Sequence, residues 1–237
     1  RSQARAAAGA GAAAVRTQLA QAGWDDFFAA NGAGAPLWAS KRASVAALLR
    51  HYREALDQVA GSRRSLEPQV FPAPLSRFSG FDWDALAQTS DAVGVKLYTM
   101  HWPMMARLWA RDLVGEQDKA VLDVVTAAMM DFLGFSDQLP ADGAALIYPP
   151  PALAHPVGIQ AQQDKLAQAR AAAATVPVIA FAHSYGPRAD VALRTRTALQ
   201  ASTNASGAYL WVNRYGYLSD AKLADLAQLM QVQESCA

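Results

Sequence analysis

Apolar positions along this chain change their spacing near residue 66. Upstream they fit helices. Ala6 to Ala22 is built of strong helix formers with Gly23 as a stop, and Trp38 to Val59 carries Val45, Leu48, Leu49, Tyr52, Leu56 and Val59 at helical spacing. The aromatic-acidic run Trp24-Asp25-Asp26-Phe27-Phe28 and the Gly/Pro-rich piece Asn31 to Pro36 read as loops between them. Downstream the pattern becomes short apolar runs, each ending in Pro, an aromatic or His and each followed by a helix-like stretch. Five such runs predict strands: Gln69 to Pro74, Val93 to Trp102, Ala144 to Tyr148, Pro177 to His183 and Ala208 to Asn213. Their helices are expected from Asp82 to Ser90, up to about Leu133, from Val157 to Ala174, after Pro187 as a first-turn residue, and after the cap pair Ser219-Asp220.

Continuously apolar strands alternating with helices predict a parallel sheet buried on both faces and joined by right-handed crossovers. The last three strands start at 144, 177 and 208, a spacing that suits one βα unit each, while a gap of about 50 residues after the second leaves room for an extra helix. The expected class is α/β, with residues 1–66 a helical segment leading in and residues 67–237 five βα units. In one arrangement these are strands four to eight of a (β/α) TIM barrel, the first three lying upstream of Arg1. In the other they form a five-stranded open doubly wound sheet with two additional helices. The start at Arg1-Ser2-Gln3, without an initiator methionine or a signal-peptide layout, reads as cut or processed, so the barrel arrangement expects a missing amino-terminal half or a partner chain.

Composition narrows the partners. A net charge of +1 with scattered Lys and Arg gives no electrostatic reason to expect nucleic acid, and an apolar share of 52% describes a soluble chain with a sizeable core. No apolar run approaches the roughly 20 residues of a membrane span. The one cysteine, Cys236, excludes an internal disulfide and a Cys-based metal site. Gly32-Ala33-Gly34-Ala35 follows no strand and matches no phosphate-binding spacing, so no cofactor is called for.

In either arrangement a ligand sits at the carboxyl ends of the strands. Those ends carry Pro72 and Pro74, then Tyr98, His101 and Trp102, then Tyr148, then His183 and Tyr185, then Trp211, Asn213, Tyr215 and Tyr217. Flat rings offer a face to the C–H side of a pyranose, and His, Asn and Tyr tips supply oriented hydrogen bonds. The expected substrate-binding set is Tyr98, His101, Trp102, Tyr148, His183, Tyr185, Trp211, Asn213 and Tyr215. His51 reads as a surface or packing residue and His155, in a Pro-rich loop, as solvated. No carboxylate or third His accompanies His101 and His183 at a strand end, so no metal is expected there. Ser184 lacks a Gly-x-Ser-x-Gly frame, which argues against serine hydrolysis. Asp82, Asp84, Asp190 and Asp220 fall at helix starts, where capping accounts for them. Glu67 precedes its strand and belongs to the opposite end.

The segments Val95-Lys96-Leu97-Tyr98-Thr99-Met100-His101-Trp102-Pro103-Met104 and Tyr209-Leu210-Trp211-Val212-Asn213-Arg214-Tyr215-Gly216-Tyr217-Leu218 resemble the later strands of bacterial TIM-barrel proteins of the glycoside-hydrolase type. Trp24 to Leu56 is similar to the helical stretch that follows an early strand in such proteins. The resemblance implies a carbohydrate ligand, a platform from Trp211, and polar contacts from His101, His183 and Asn213. It departs from the largest retaining clan, whose glutamates end strands four and seven, since the matching segments here end in Pro72-Ala73-Pro74 and Ala182-His183-Ser184. Three functions are therefore weighed: a glycosidase-like hydrolase, or its substrate-binding part, with carboxylates elsewhere; a non-catalytic carbohydrate-binding barrel; and an open α/β protein binding a nucleotide or flavin.

Overall fold

A computed structural model of the chain describes residues 2–22, 32, 34–59, 61, 64–135, 143–202, 210–213 and 215–234. The loop Trp24 to Phe28 and Tyr209 lie outside them, as does the side chain of Tyr215. The elements run α1 (Ser2–Ala8), α2 (Ala12–Ala22), α3 (Ala35–Asp57), β1 (Gln69–Val70), α4 (Leu75–Phe78), α5 (Leu86–Thr89), β2 (Val93–Lys96), α6 (His101–Val114), α7 (Lys119–Phe132), α8 (Ile159–Ala173), β3 (Val178–His183), α9 (Arg188–Ala201), β4 (Leu210–Asn213) and α10 (Asp220–Glu234). The protein is α/β, with one four-stranded parallel sheet among the described residues.

The strand order is β1-β2-β3-β4, without the reversal that marks a doubly wound sheet. With right-handed crossovers, such an order sends every connecting helix to one face. The core agrees. Val70, Val93, Val95, Val178, Ala180 and Ala182 alternate along the strands and share a cluster with Leu166, Ala169 and Ala173 of α8 and Ala198 of α9. The residues between them, Gln69, Gly94, Lys96, Ile179, Phe181 and Trp211, face the other way. Gly94 matters on that face, because a Cβ there would stand 2.9 Å from the Phe181 ring. Trp211 then stacks on Phe181 with centroids 5.8 Å apart.

Four expectations are corrected. The third expected strand is absent: Gly143–Ala145 is a 3-10 turn, and β2 pairs directly with β3 from Val93↔Val178 to Lys96↔Phe181, which leaves no slot for it. Its apolar run instead plugs the core through Leu146, and Pro149-Pro150-Pro151 cannot donate to a ladder. The single helix expected from Ala6 to Ala22 is two, divided around Gly9 and Gly11, the latter at φ +95. The helix expected from Asp82 starts only at Leu86, because the Asp82 carboxylate accepts from Arg42 at 2.7 Å and from the Asp84 backbone N–H at 3.1 Å. The helical run expected up to Leu133 breaks at Gly115 into α6 and α7.

Charged side chains fasten the helices to this frame. Arg5 donates to the Val114 carbonyl at the end of α6, while Ala8 and Val15 pack among Ala110, Val114, Leu122 and Val125. Buried Arg53 on α3 donates to Asp91 at 3.0 Å and to the Arg64 carbonyl at 2.9 Å, tying that helix to the start of β2. Lys165 on α8 reaches the Leu133 carbonyl just beyond α7 at 2.6 Å. Burial pushes its pKa down to about 8.

The two strand-associated tryptophans separate by environment. Trp102 is 1% exposed and stacks on Phe135 at 4.6 Å, whereas Trp211 is 50% exposed. Trp102→Ala is expected to destabilise by about 3–5 kcal/mol and Trp211→Ala by much less. Urea midpoints of the two variants check this, and equal losses would contradict the one-sided sheet.

Candidate functional site

The register of β3 with β4 sets His183 beside Asn213 at their carboxyl ends. Just past β2, Tyr98 turns its hydroxyl to the Asn213 side chain, which donates to it across 2.6 Å. The next residue, Thr99, is fully buried and faces inward. Its Oγ1 lies 2.8 Å from His155 Nδ1 and 3.2 Å from His183 Nε2. The two imidazoles stack, with centroids 4.9 Å apart and planes inclined by 21°. Three separate strand ends and one loop therefore meet within a few ångströms.

Aromatic rings extend the cluster outward. His101, opening α6, packs against Tyr98 at 5.7 Å and Tyr148 at 5.5 Å. Tyr148 meets Tyr185 at 5.2 Å, and Tyr185 meets Tyr217 at 4.9 Å. The Tyr185 hydroxyl donates to the Pro149 carbonyl at 2.7 Å, pinning the proline-rich loop over the site. Beyond Tyr148 a cleft of about 450 Å³ opens between Met104, Leu108 and Ile147 on its apolar side and Arg107 and Arg111 on its polar side.

A layer of charge holds the loop bearing His155. Arg194 on α9 donates to the His155 carbonyl at 3.2 Å, to the Val157 carbonyl at 2.6 Å and to the Asp190 carboxylate at 2.9 Å. Asp190, in the first turn of α9, is thus an ion-pair partner under the loop. On the other side Lys222 of α10 donates to the carbonyls of Ser184 at 2.8 Å and Tyr217 at 3.0 Å, and burial lowers its pKa. Ser184 donates its hydroxyl to the Asn213 carbonyl at 3.2 Å, consistent with a structural serine.

Burial is the largest influence on both inner histidines. It holds His155 down at about 4, with Arg194 adding to the effect and Asp190 opposing it. His183 lies well below the ordinary imidazole range, through burial first and then through His155 and Arg194, against the Tyr185 backbone carbonyl. Both rings are neutral near pH 7.

Of the nine residues expected from sequence, Tyr98, His101, Tyr148, His183, Tyr185 and Asn213 come together here. Trp102 turns into the core instead, because as the second residue of α6 it faces Phe135. Trp211 lies two residues short of the strand-end layer and joins Phe181 on the sheet face. His155, expected to be solvated, is only 6% exposed, since Arg194 draws its loop inward. Thr99 and Arg194 had no motif to single them out. Among the described residues no group of three His, Cys, Asp or Glu is placed to hold a metal ion, and no helix is long and apolar enough to cross a membrane. No family model matches the chain, and neither a curated protein nor a solved structure matches it.

Because His155 and His183 bind protons less readily folded than unfolded, the unfolded chain takes up more protons between its imidazole pKa of about 6.5 and the depressed folded values. Stability is complete above about pH 6.5 and is expected to fall as the pH drops toward 4. Urea midpoints measured across that window test this. A flat profile, or one that a His155→Gln variant leaves unchanged, would contradict neutral burial.

Proposed function

We propose that the carboxyl ends of β2, β3 and β4 form a binding site for a carbohydrate or similar polyhydroxylated molecule, in a glycosidase-like (β/α)-barrel setting. The observation that carries this is the 2.6 Å Asn213–Tyr98 hydrogen bond, which joins the ends of β2 and β4 across His183. It sets an amide, a phenol and an imidazole side by side with the rings of His101 and Tyr148 around them. Such a surface offers donors and acceptors in fixed directions together with flat apolar faces, the two things a pyranose needs. The Tyr148 cleft gives a chain of sugars somewhere to continue.

The barrel setting is supported by the unreversed strand order and by the packing of α8 and α9 on the same face of the strands. Glycoside hydrolysis usually takes two carboxylates across the scissile bond. Asp190, a carboxylate beside this cluster, is engaged by Arg194, so these strand ends act as the substrate-binding part of the site. Cleavage would draw its acids from elsewhere.

Glycan-array binding followed by titration calorimetry tests the reading. Tyr98→Ala and Asn213→Ala are each expected to weaken sugar binding about tenfold or more, since each removes an oriented hydrogen bond, while changing stability by less than about 1 kcal/mol. Binding that survives the double variant would move the site elsewhere. A wild-type chain that retains no glycan would end the carbohydrate reading.

A further inference from the structure

One face of α6 opens on the cleft beyond Tyr148. Met104, Arg107, Leu108 and Arg111 follow one another at the spacing that lines side chains up along one side of a helix. Ile147 and Tyr148 complete the wall of this hollow of about 450 Å³. Met104, Leu108 and Ile147 are 37%, 38% and 48% exposed, so three aliphatic side chains share one space open to solvent. An apolar wall alone fits many guests. Charge selects among them.

Three cations line the same hollow, Arg107, Arg111 and Lys119, against one carboxylate, Glu116. With Asp123 counted as well, because it pairs with Arg107, cations still lead by three to two. The chain as a whole carries only +1, so this excess is local and not a general attraction for polyanions.

The three cations are engaged to different degrees. Arg107 makes both of its bonds from Nη1, to Asp123 Oδ1 at 2.8 Å and to the Gly143 carbonyl at 3.2 Å. Its Nε–Nη2 edge has no partner among the described residues. That edge is a fork of two parallel N–H groups, which matches the two oxygens of a carboxylate. Arg111 meets Glu116 through one contact of 3.2 Å, the two side chains being 44% and 66% exposed. So exposed a pair is weak and gives way to a competing anion. The Lys119 side chain, at the start of α7, is exposed and has no ion-pair or hydrogen-bond partner among the described residues.

We propose that this cleft takes the carboxylate of a hexuronate on the Arg107 fork, with Arg111 and Lys119 adding positive charge and with Leu108 and Ile147 against the C–H face of the sugar. The inference rests on the carbohydrate reading above and narrows it to acidic oligosaccharides. Tyr148 belongs both to the ring cluster around His101 and to the cleft, so a sugar chain leaving Tyr98 and Asn213 meets these cations next. A neutral sugar makes no use of them.

Titration calorimetry of the full chain tests this with short oligomers of the common hexuronic acids, their methyl esters, and a sulfated oligosaccharide without carboxylates. The acid that binds best is expected to exceed its own methyl ester about tenfold or more in affinity, since the ester removes a charge-assisted pair of hydrogen bonds. That acid-to-ester ratio is expected to fall in Lys119→Glu and in Arg107→Lys, which keeps the charge but loses the fork, and to rise in Glu116→Gln, which frees Arg111. Melting temperatures of the variants separate lost folding from lost binding, and a merely structural role would not move the ratio in opposite directions. Equal affinity for acid and ester, or a ratio that Lys119→Glu and Glu116→Gln leave unmoved, overturns the inference while the carbohydrate reading stands. A sulfated oligosaccharide bound as tightly as the uronate overturns the carboxylate assignment. If neither acid nor ester binds, the carbohydrate reading has failed and the proposed occupant falls with it.

Discussion

The alternation along β3 governs this structure. Val178, Ala180 and Ala182 turn to the helices, so Ile179, Phe181 and His183 must turn away from them. Since the strand order never reverses, neighbouring strands repeat the same division, and the face turned from that helix-packed core carries Gln69, Gly94, Lys96 and Trp211. His183 and Asn213 belong to that second face and also to the carboxyl end of their strands. The place of the polar cluster is therefore set by register before any side-chain chemistry is considered.

Much of this frame was legible because parallel strands buried by helices leave an apolar signature. The runs around Val70, Val93 to Val95, Val178 to Ala182 and Leu210 to Val212 are all strands, and the α/β class follows from them. The run at Ala144 to Tyr148 has the same composition and is not a strand. Composition reports that Leu146 is buried, but it cannot report that β2 and β3 already satisfy each other's ladder. The breaks at Gly9 to Gly11 and at Gly115 are hidden in the sequence, because the helix-forming flanks continue the helical pattern through them.

The site was legible where it lies on strand ends and hidden where it depends on a loop. His183, Tyr98 and Asn213 occupy positions fixed by the ladder, so reading strand ends found them. His155 sits in a proline-rich stretch that by itself looks solvated, and its burial follows from Arg194, which is 39 residues away in the chain. Thr99 is one hydroxyl among many until both imidazoles are seen on it.

Arg194 has a consequence of its own. The same guanidinium that grips the carbonyls of His155 and Val157 also stands as a fixed positive charge behind the His155 ring. A proton arriving on that ring would therefore repel the very anchor that keeps the loop folded down. The backbone path from Pro149 to Val157 is in this way linked to the ring's charge, so that a proton on His155 would loosen the loop that covers it.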